Sequence, residues 1–109
     1  MSSSADHVFA ALGDPTRRAV LALVGRRGPL TATELAARLP VSRQAVTKHL
    51  DLLRAAGLVA SEKDGRAVRY LLRAEPLDDA AAWMAQVGSA WDRRLAALSD
   101  RATAMRRAK

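Results

Sequence analysis

The stretch Thr31-Ala32-Thr33-Glu34-Leu35-Ala36-Ala37-Arg38-Leu39-Pro40-Val41-Ser42-Arg43-Gln44-Ala45-Val46-Thr47-Lys48-His49-Leu50-Asp51-Leu52-Leu53-Arg54-Ala55-Ala56-Gly57 reads as two helices joined by a tight turn. Thr31 followed three residues later by Glu34 is a capping box, and Leu35, Ala36 and Leu39 make a short apolar face that stops at Pro40. Ser42 is placed to cap a second helix with the inward stripe Val46, Leu50 and Leu53, and Gly57 stands where helices commonly end in a left-handed residue. The positions outside that stripe are Arg43, Gln44, Thr47, Lys48, Asp51 and Arg54, groups able to donate to phosphates or to read base edges. Arg43 and Gln44 follow the cap directly, at the helix end that enters the major groove in helix-turn-helix docking. Any solvated helix also shows a polar face, so this reading needs support from the flanks.

Downstream, the segments from Leu58 to Lys63 and from Arg66 to Leu72 flank Asp64-Gly65, a dipeptide suited to a type I′ hairpin turn. A two-residue loop there sets Lys63 opposite Arg66, Ser61 opposite Val68 and Val59 opposite Tyr70. One face of the ribbon is then apolar at its base and cationic at its tip, where Lys63 and Arg66 are candidate phosphate contacts. Upstream, Val8, Phe9, Ala11 and Leu12 form a brief stripe closed by Gly13. Asp14 before Pro15 is an N-cap acceptor ahead of a first-turn proline, and Val20, Leu21, Leu23 and Val24 continue as a buried face as far as Gly25 and Gly28.

Composition narrows the function classes. A chain of 109 residues is one domain in size, with no room for a catalytic domain beside a binding one. Eighteen Lys and Arg against eleven Asp and Glu give +7, which favours a polyanionic partner: nucleic acid first, an acidic membrane surface second. Between Arg38 and Arg73 eight residues are basic and three acidic, so the excess gathers around the two helices and the hairpin. The absence of Cys removes disulfides and thiolate metal sites, and leaves oligomerisation as the remaining support for a small core with one Phe, one Tyr and two Trp. The start of the chain lacks a basic stretch leading into a long apolar run, and no segment approaches a membrane span, so a soluble, cytoplasmic protein without membrane contact is expected. A Gly-rich phosphate loop, a Cys nucleophile and a Ser-His-acid context are all lacking, and no enzyme is expected.

Together, Gly13-Asp14-Pro15-Thr16-Arg17-Arg18, Thr33-Glu34-Leu35-Ala36, Ser42-Arg43-Gln44-Ala45-Val46-Thr47-Lys48-His49-Leu50 and Ala56-Gly57-Leu58-Val59 resemble the ArsR/SmtB type of winged helix-turn-helix regulator over roughly residues 5 to 98. The resemblance implies a dimer of winged-helix subunits, a recognition helix at Ser42 to Ala56, a wing at Leu58 to Leu72, and repression by operator occlusion. It departs from the best-known metal sensors, because Thr31 and Thr33 fill the Cys-x-Cys positions and no His follows His49. A soft-metal thiolate site is therefore excluded, and no cofactor is expected. His49 matches a position often His in the family and reads as structural or phosphate-contacting. His7, beside Asp6, is the one imidazole left for an oxygen-nitrogen site with Asp78 or Asp79 across subunits, the weaker reading.

Pro76 reopens helix, with Asp78 and Asp79 in the first turn, and Leu77, Met84, Trp91, Leu98 and Met105 recur every seven residues, interleaved with Ala81, Gly88, Leu95 and Ala102. Simple packing on its own subunit would account for such a stripe. Trp83 and Val87 widen it beyond what one small body covers, which favours a split role: one flank inside the subunit, the other on a symmetry mate.

The expected architecture is mainly α with a two-stranded β-wing, one domain over 1–109 with a helix-turn-helix at 31–56, the wing at 58–72 and a terminal dimerisation helix at 76–105. Its expected partner is double-stranded DNA with a two-fold symmetric operator. The DNA-contacting set is Ser42, Arg43, Gln44, Thr47, Lys48, His49, Arg54, Lys63 and Arg66, and the homodimer contact is Val8, Phe9, Leu77, Met84, Trp91, Leu95 and Leu98. Two alternatives stay open: a metal- or small-molecule-responsive switch on the same reader, its effector unknown, and a winged-helix protein-interaction module that leaves Arg43, Gln44 and Lys48 unexplained.

Overall fold

The computed structural model describes residues 3 to 107, with side chains from Ala5 onward; Met1, Ser2, Ala108 and Lys109, the ends of the expected domain, lie outside the described residues. The elements run α1 (Ser3–Ala11), α2 (Pro15–Arg27), β1 (Leu30–Thr31), α3 (Ala32–Arg38), α4 (Arg43–Ala55), β2 (Val59–Asp64), β3 (Ala67–Leu72) and α5 (Glu75–Arg107). Local chemistry sets most of the boundaries. Thr31 Oγ1 accepts from the Glu34 amide at 3.1 Å while Glu34 Oε1 accepts from the Thr31 amide at 3.0 Å, so the capping box closes both ways. Ser42 Oγ accepts from the Ala45 amide at 3.1 Å to start α4, and Gly57, at φ 77°, turns the chain after it. Each side-chain cap stabilises its helix by about 1 kcal/mol.

Asp14 departs from its expected role. It occupies the N-cap position of α2, but its carboxylate makes no cap bond and faces Arg17 and His49 instead.

The core lies where α2, α3, α4 and the base of the sheet converge. Leu35, Val46, Leu50, Leu53 and Leu58 are fully enclosed there, joined by Val8 from α1, Val20 and Val24 from α2, and Val59 and Tyr70 from the sheet. Fully burying one such aliphatic side chain is worth roughly 1.5–3 kcal/mol, so this cluster holds α4 at a fixed angle to the rest of the body.

The sheet has three strands in the order β1-β3-β2, all antiparallel. The extra strand, β1, pairs Leu30 with Tyr70 and Thr31 with Arg69, and its second residue doubles as the N-cap of α3. The hairpin loop falls one residue later than expected, which moves every cross-strand partner by two: Asp64 pairs with Ala67, Lys63 with Val68, Ser61 with Tyr70 and Val59 with Leu72, so the loop is Gly65-Arg66. Only Gly65 takes positive φ, 63°, as a type II′ loop asks of its first residue. A type I′ loop on Asp64-Gly65 would put Asp64 there too, at a Cβ penalty; in the strand Asp64 keeps ordinary backbone and its carboxylate accepts from Arg69 Nε at 3.1 Å.

α5 is 33 residues long, about 50 Å at the standard rise, and gives the chain its 76 Å long axis. Leu77 is half-buried on the core and Ala80 is buried, and Trp83 meets Phe9 of α1 edge-on with ring centroids 5.5 Å apart. Beyond Ala80 no described α5 side chain is buried. The split role expected within the subunit therefore ends at the first turns. No helix among the described residues is long and apolar enough to cross a membrane.

Candidate nucleic-acid interface

With Val46, Leu50 and Leu53 locked inward, the 3.6-residue period turns Arg43, Gln44, Thr47 and Lys48 outward, where all four are exposed and border one shallow depression. A second depression runs between the start of α3, the N-terminal half of α4 and the wing, bordered by Thr31, Thr33, Arg43, Thr47, Arg66 and Val68. Arg66 thus shares a groove with Arg43, although the two lie in separate elements. Thr33, exposed in the first turn of α3, was not among the expected contacts.

The eight cations between Arg38 and Arg73 divide into two groups. Arg69 donates from Nη1 to Glu34 and from Nε to Asp64, both at 3.1 Å, and ties β3 to the cap of α3 and to the wing tip. Arg54 donates to Ser61 Oγ at 3.4 Å, linking α4 to β2, and Arg73 lies 4.0 Å from Glu75. Arg38, Arg43, Lys48, Lys63 and Arg66 have no carboxylate within 4.0 Å among the described residues, so their charge stays available to a polyanion. The Thr31 amide and hydroxyl first, then Arg69, hold the Glu34 carboxyl below the usual 4.5, which keeps that clasp ionised. Thr47 spends its hydroxyl hydrogen on the Arg43 carbonyl at 3.0 Å and has its methyl and lone pairs to offer; Ser42 accepts in its cap and keeps its hydroxyl hydrogen.

Residues 12–62, from the end of α1 into the wing, match the family model described as a helix-turn-helix domain. The HTH-type transcriptional regulator YuzN of Bacillus subtilis is 41% identical over 83 residues, 71% of this chain and 90% of that protein. The transcriptional repressor SdpR of the same organism is 33% identical over 79 residues, 72% of this chain and 87% of the relative. Among solved structures, an ArsR-like transcriptional regulator from Rhodococcus sp. RHA1 superposes with a TM-score of 0.77 at 48% identity, over 88% of this chain and 90% of that one.

The chain belongs to the ArsR family of winged helix-turn-helix transcriptional regulators.

α3, the turn and α4 are its helix-turn-helix, and β2 with β3 its wing. As a member of this family it is a DNA-binding transcriptional regulator, and the relatives it matches are named as regulators. His49 sits differently from the other expected contacts of this regulator. Its side chain is only 19% exposed, and Nδ1 points to the Asp14 carboxylate at 3.5 Å, on the α2 side of α4 and away from the wing. That nitrogen is sealed from solvent and makes no hydrogen bond. The reason is angular: at 100° per residue His49 lies on the opposite flank of α4 from Arg43, Thr47 and Arg54. Its structural reading thus gains over the phosphate-contacting one.

The expected dimer contacts also separate. Val8 is fully buried in its own subunit and has no surface to present, a correction to its place in the set, because α1 must close the core beside Ala11 and Val20. Phe9 and Leu77 are half-buried at the junction of α1 and α5. Met84, Trp91, Leu95 and Leu98 are exposed, Trp91 by 55% and Leu98 by 56%. Among the described residues no three His, Asp or Glu side chains gather as a metal site would need, so His7, Asp78 and Asp79 form no cluster within one chain.

Proposed function

We propose that this ArsR-family regulator binds a two-fold symmetric DNA operator as a homodimer and represses by occluding it. The observation that carries the reading is the groove shared by Arg43 and Thr47 of α4 and Arg66 of the wing, with Lys48 and Lys63 exposed beside it and carboxylate-free. In this reading α4 lies in the major groove, Arg43 and Gln44 reach base edges, and Lys63 and Arg66 meet the flanking phosphates. In the same reading Ser42, Lys48 and Arg54 meet the DNA backbone.

The dimer reading rests on α5. Trp83, Met84, Val87, Trp91, Leu95, Leu98 and Met105 fall in a band of about 120° at 3.6 residues per turn, and all are exposed in the single chain. Monomeric proteins rarely leave so continuous an apolar patch uncovered. A second α5 presents the same stripe and closes it by two-fold symmetry, setting two copies of α4 about 34–36 Å apart for successive half-sites. The repressive sign is supported by the relative named a transcriptional repressor.

Selection of bound fragments from a random duplex pool tests the proposal; a two-fold symmetric consensus is expected. Arg43→Ala and Gln44→Ala are each expected to cost about 1–3 kcal/mol of discrimination at one base position per half-site. Equal losses on selected and scrambled duplexes would make both residues phosphate contacts. No enrichment from the pool would overturn DNA binding by this surface.

A further inference from the structure

Away from the basic face, a cavity of about 240 Å³ opens between α1, the start of α2 and the last turns of α4. Ala10, Ala11, Leu52, Ala55 and Ala56 make its wall apolar, and its two ionisable lining residues, His7 and Arg17, can both donate hydrogen bonds. At about 30 Å³ for each water-sized unit it has room for roughly eight non-hydrogen atoms. Leu52, an apolar side chain on α4 that is half exposed, has no counterpart in a polar DNA-reading face; it forms part of this wall.

Arg17 is the chemical key to the cavity. Its side chain is 19% exposed, Nε donates to the Ala11 carbonyl at 2.6 Å, and its nearest carboxylate, Asp14, stands 3.7 Å from Nη1, too far for a hydrogen bond. A guanidinium carries five donors, so this one keeps capacity for a charge-assisted partner. Asp14 in turn caps nothing and faces Arg17 on one side and the sealed, unpartnered Nδ1 of His49 on the other. Arg17, Asp14 and His49 therefore form a continuous line from the cavity to the middle of α4.

We propose that this cavity is an effector site for a small apolar carboxylate, whose occupancy lowers DNA affinity through Arg17, Asp14 and His49; the coupling rests on α4 being the DNA-reading helix. The ligand's carboxylate pairs with Arg17 and His7 while its hydrocarbon part lies on Ala10, Leu52 and Ala55. With Arg17 drawn to the ligand, Asp14 loses its cation and bears on His49 alone. The added negative charge beneath α4 also weakens the pull of the basic face on phosphates. By linkage, bound operator must weaken ligand binding by the same factor.

Calorimetric titration of the full chain with hexanoate and benzoate, against hexanol and benzyl alcohol, tests the site without DNA. Saturable binding of the acids at one site per chain is expected, with the alcohols weaker by roughly tenfold. Ala10→Leu, which fills the cavity, and Arg17→Gln should each weaken the acids by roughly tenfold with the circular dichroism spectrum unchanged, and Arg17→Lys should retain them. If Arg17→Gln does not fold, Ala10→Leu carries the test. Acids and alcohols binding alike, binding indifferent to Ala10→Leu, or no binding would each overturn the site. In gel shifts with a selected operator, benzoate should raise the apparent Kd several-fold for the native chain and leave Ala10→Leu unchanged; ligand binding with no change in operator Kd would overturn the effector role. Failure of the ligand-free protein to bind DNA would instead count against the operator reading, since the calorimetric result stands apart from it.

Discussion

The body from α1 to β3 and the free length of α5 carry the same kind of apolar patterning and meet opposite fates. In α4, Val46, Leu50 and Leu53 are fully enclosed by α2, α3 and the sheet. In α5, Trp91, Leu95 and Leu98 repeat at equivalent spacing and lie open. Periodicity records that a face is apolar, because 3.6 residues per turn bring the positions into line; it does not record what covers that face. Only the reach of the chain decides that. α5 runs about 50 Å, far past the body, so its distal stripe can be covered only by something outside the subunit.

The contrast between the two regions breaks first at Leu95→Asp. A charge in the α5 stripe should leave the body folded and the helix signal intact while abolishing the dimer. With the second half-site contact no longer intramolecular, operator affinity should fall by roughly 10² to 10⁴. Sedimentation paired with gel shifts reads both, and a variant that stays dimeric would show that the stripe is covered some other way. Leu50→Ala tests the opposite region: truncating a fully enclosed leucine should cost about 2–5 kcal/mol of unfolding free energy in urea melts. Leu98→Ala, at an exposed site, should cost the isolated subunit nearly nothing, and equal losses at the two positions would erase the distinction between the regions.

Within the body, the cations without carboxylates can be set against the paired ones. Lys63→Ala or Arg66→Ala should weaken binding to every duplex and reduce the slope of log affinity against log salt by about 0.9 for each phosphate that is no longer neutralised. Arg69, held by Glu34 and Asp64, serves as the contrast: Arg69→Ala should lower thermal stability with a smaller change in salt slope. A salt slope unmoved by either Lys63→Ala or Arg66→Ala would exclude the wing tip from the interface.

The smallest effect is expected at Glu34. Its carboxyl is held below the ordinary 4.5, so its contribution to folding is complete above that value and is lost as pH falls through the lower folded-state value. Glu34→Gln, which can still accept in the cap, should flatten the fall in melting temperature below about pH 4.5 and change little at neutral pH. Superimposable acid-side melting curves for the two proteins would show that the clasp adds nothing to acid stability.

Much of the helix-turn-helix was legible because its signals are local. The capping box at Thr31 and Glu34, the Ser42 cap and the left-handed Gly57 each act within a few residues, and all three appear in the structure. The departures occur where partners are distant in sequence. β1 is two residues long and exists only because Tyr70 and Arg69 lie beside Leu30 and Thr31. Asp14 has the sequence of a cap and turns instead to His49, thirty-five positions away. The hairpin loop moved by one residue, and the cross-strand partners by two, because Asp64 gains more from Arg69 within the strand than from a strained turn position.

By itself, then, the sequence determined which segments are helical, which faces are apolar and where the positive charge gathers, since each follows from period, capping and composition over a few turns of chain. The tertiary structure decided which cations stay unpaired, which side of α4 His49 takes, that Val8 belongs to the core, and that a cavity lies beside Arg17. Those outcomes depend on side chains brought together from separate elements, and their burial and pairing are set only once α1, α2, α4 and the wing are packed against one another.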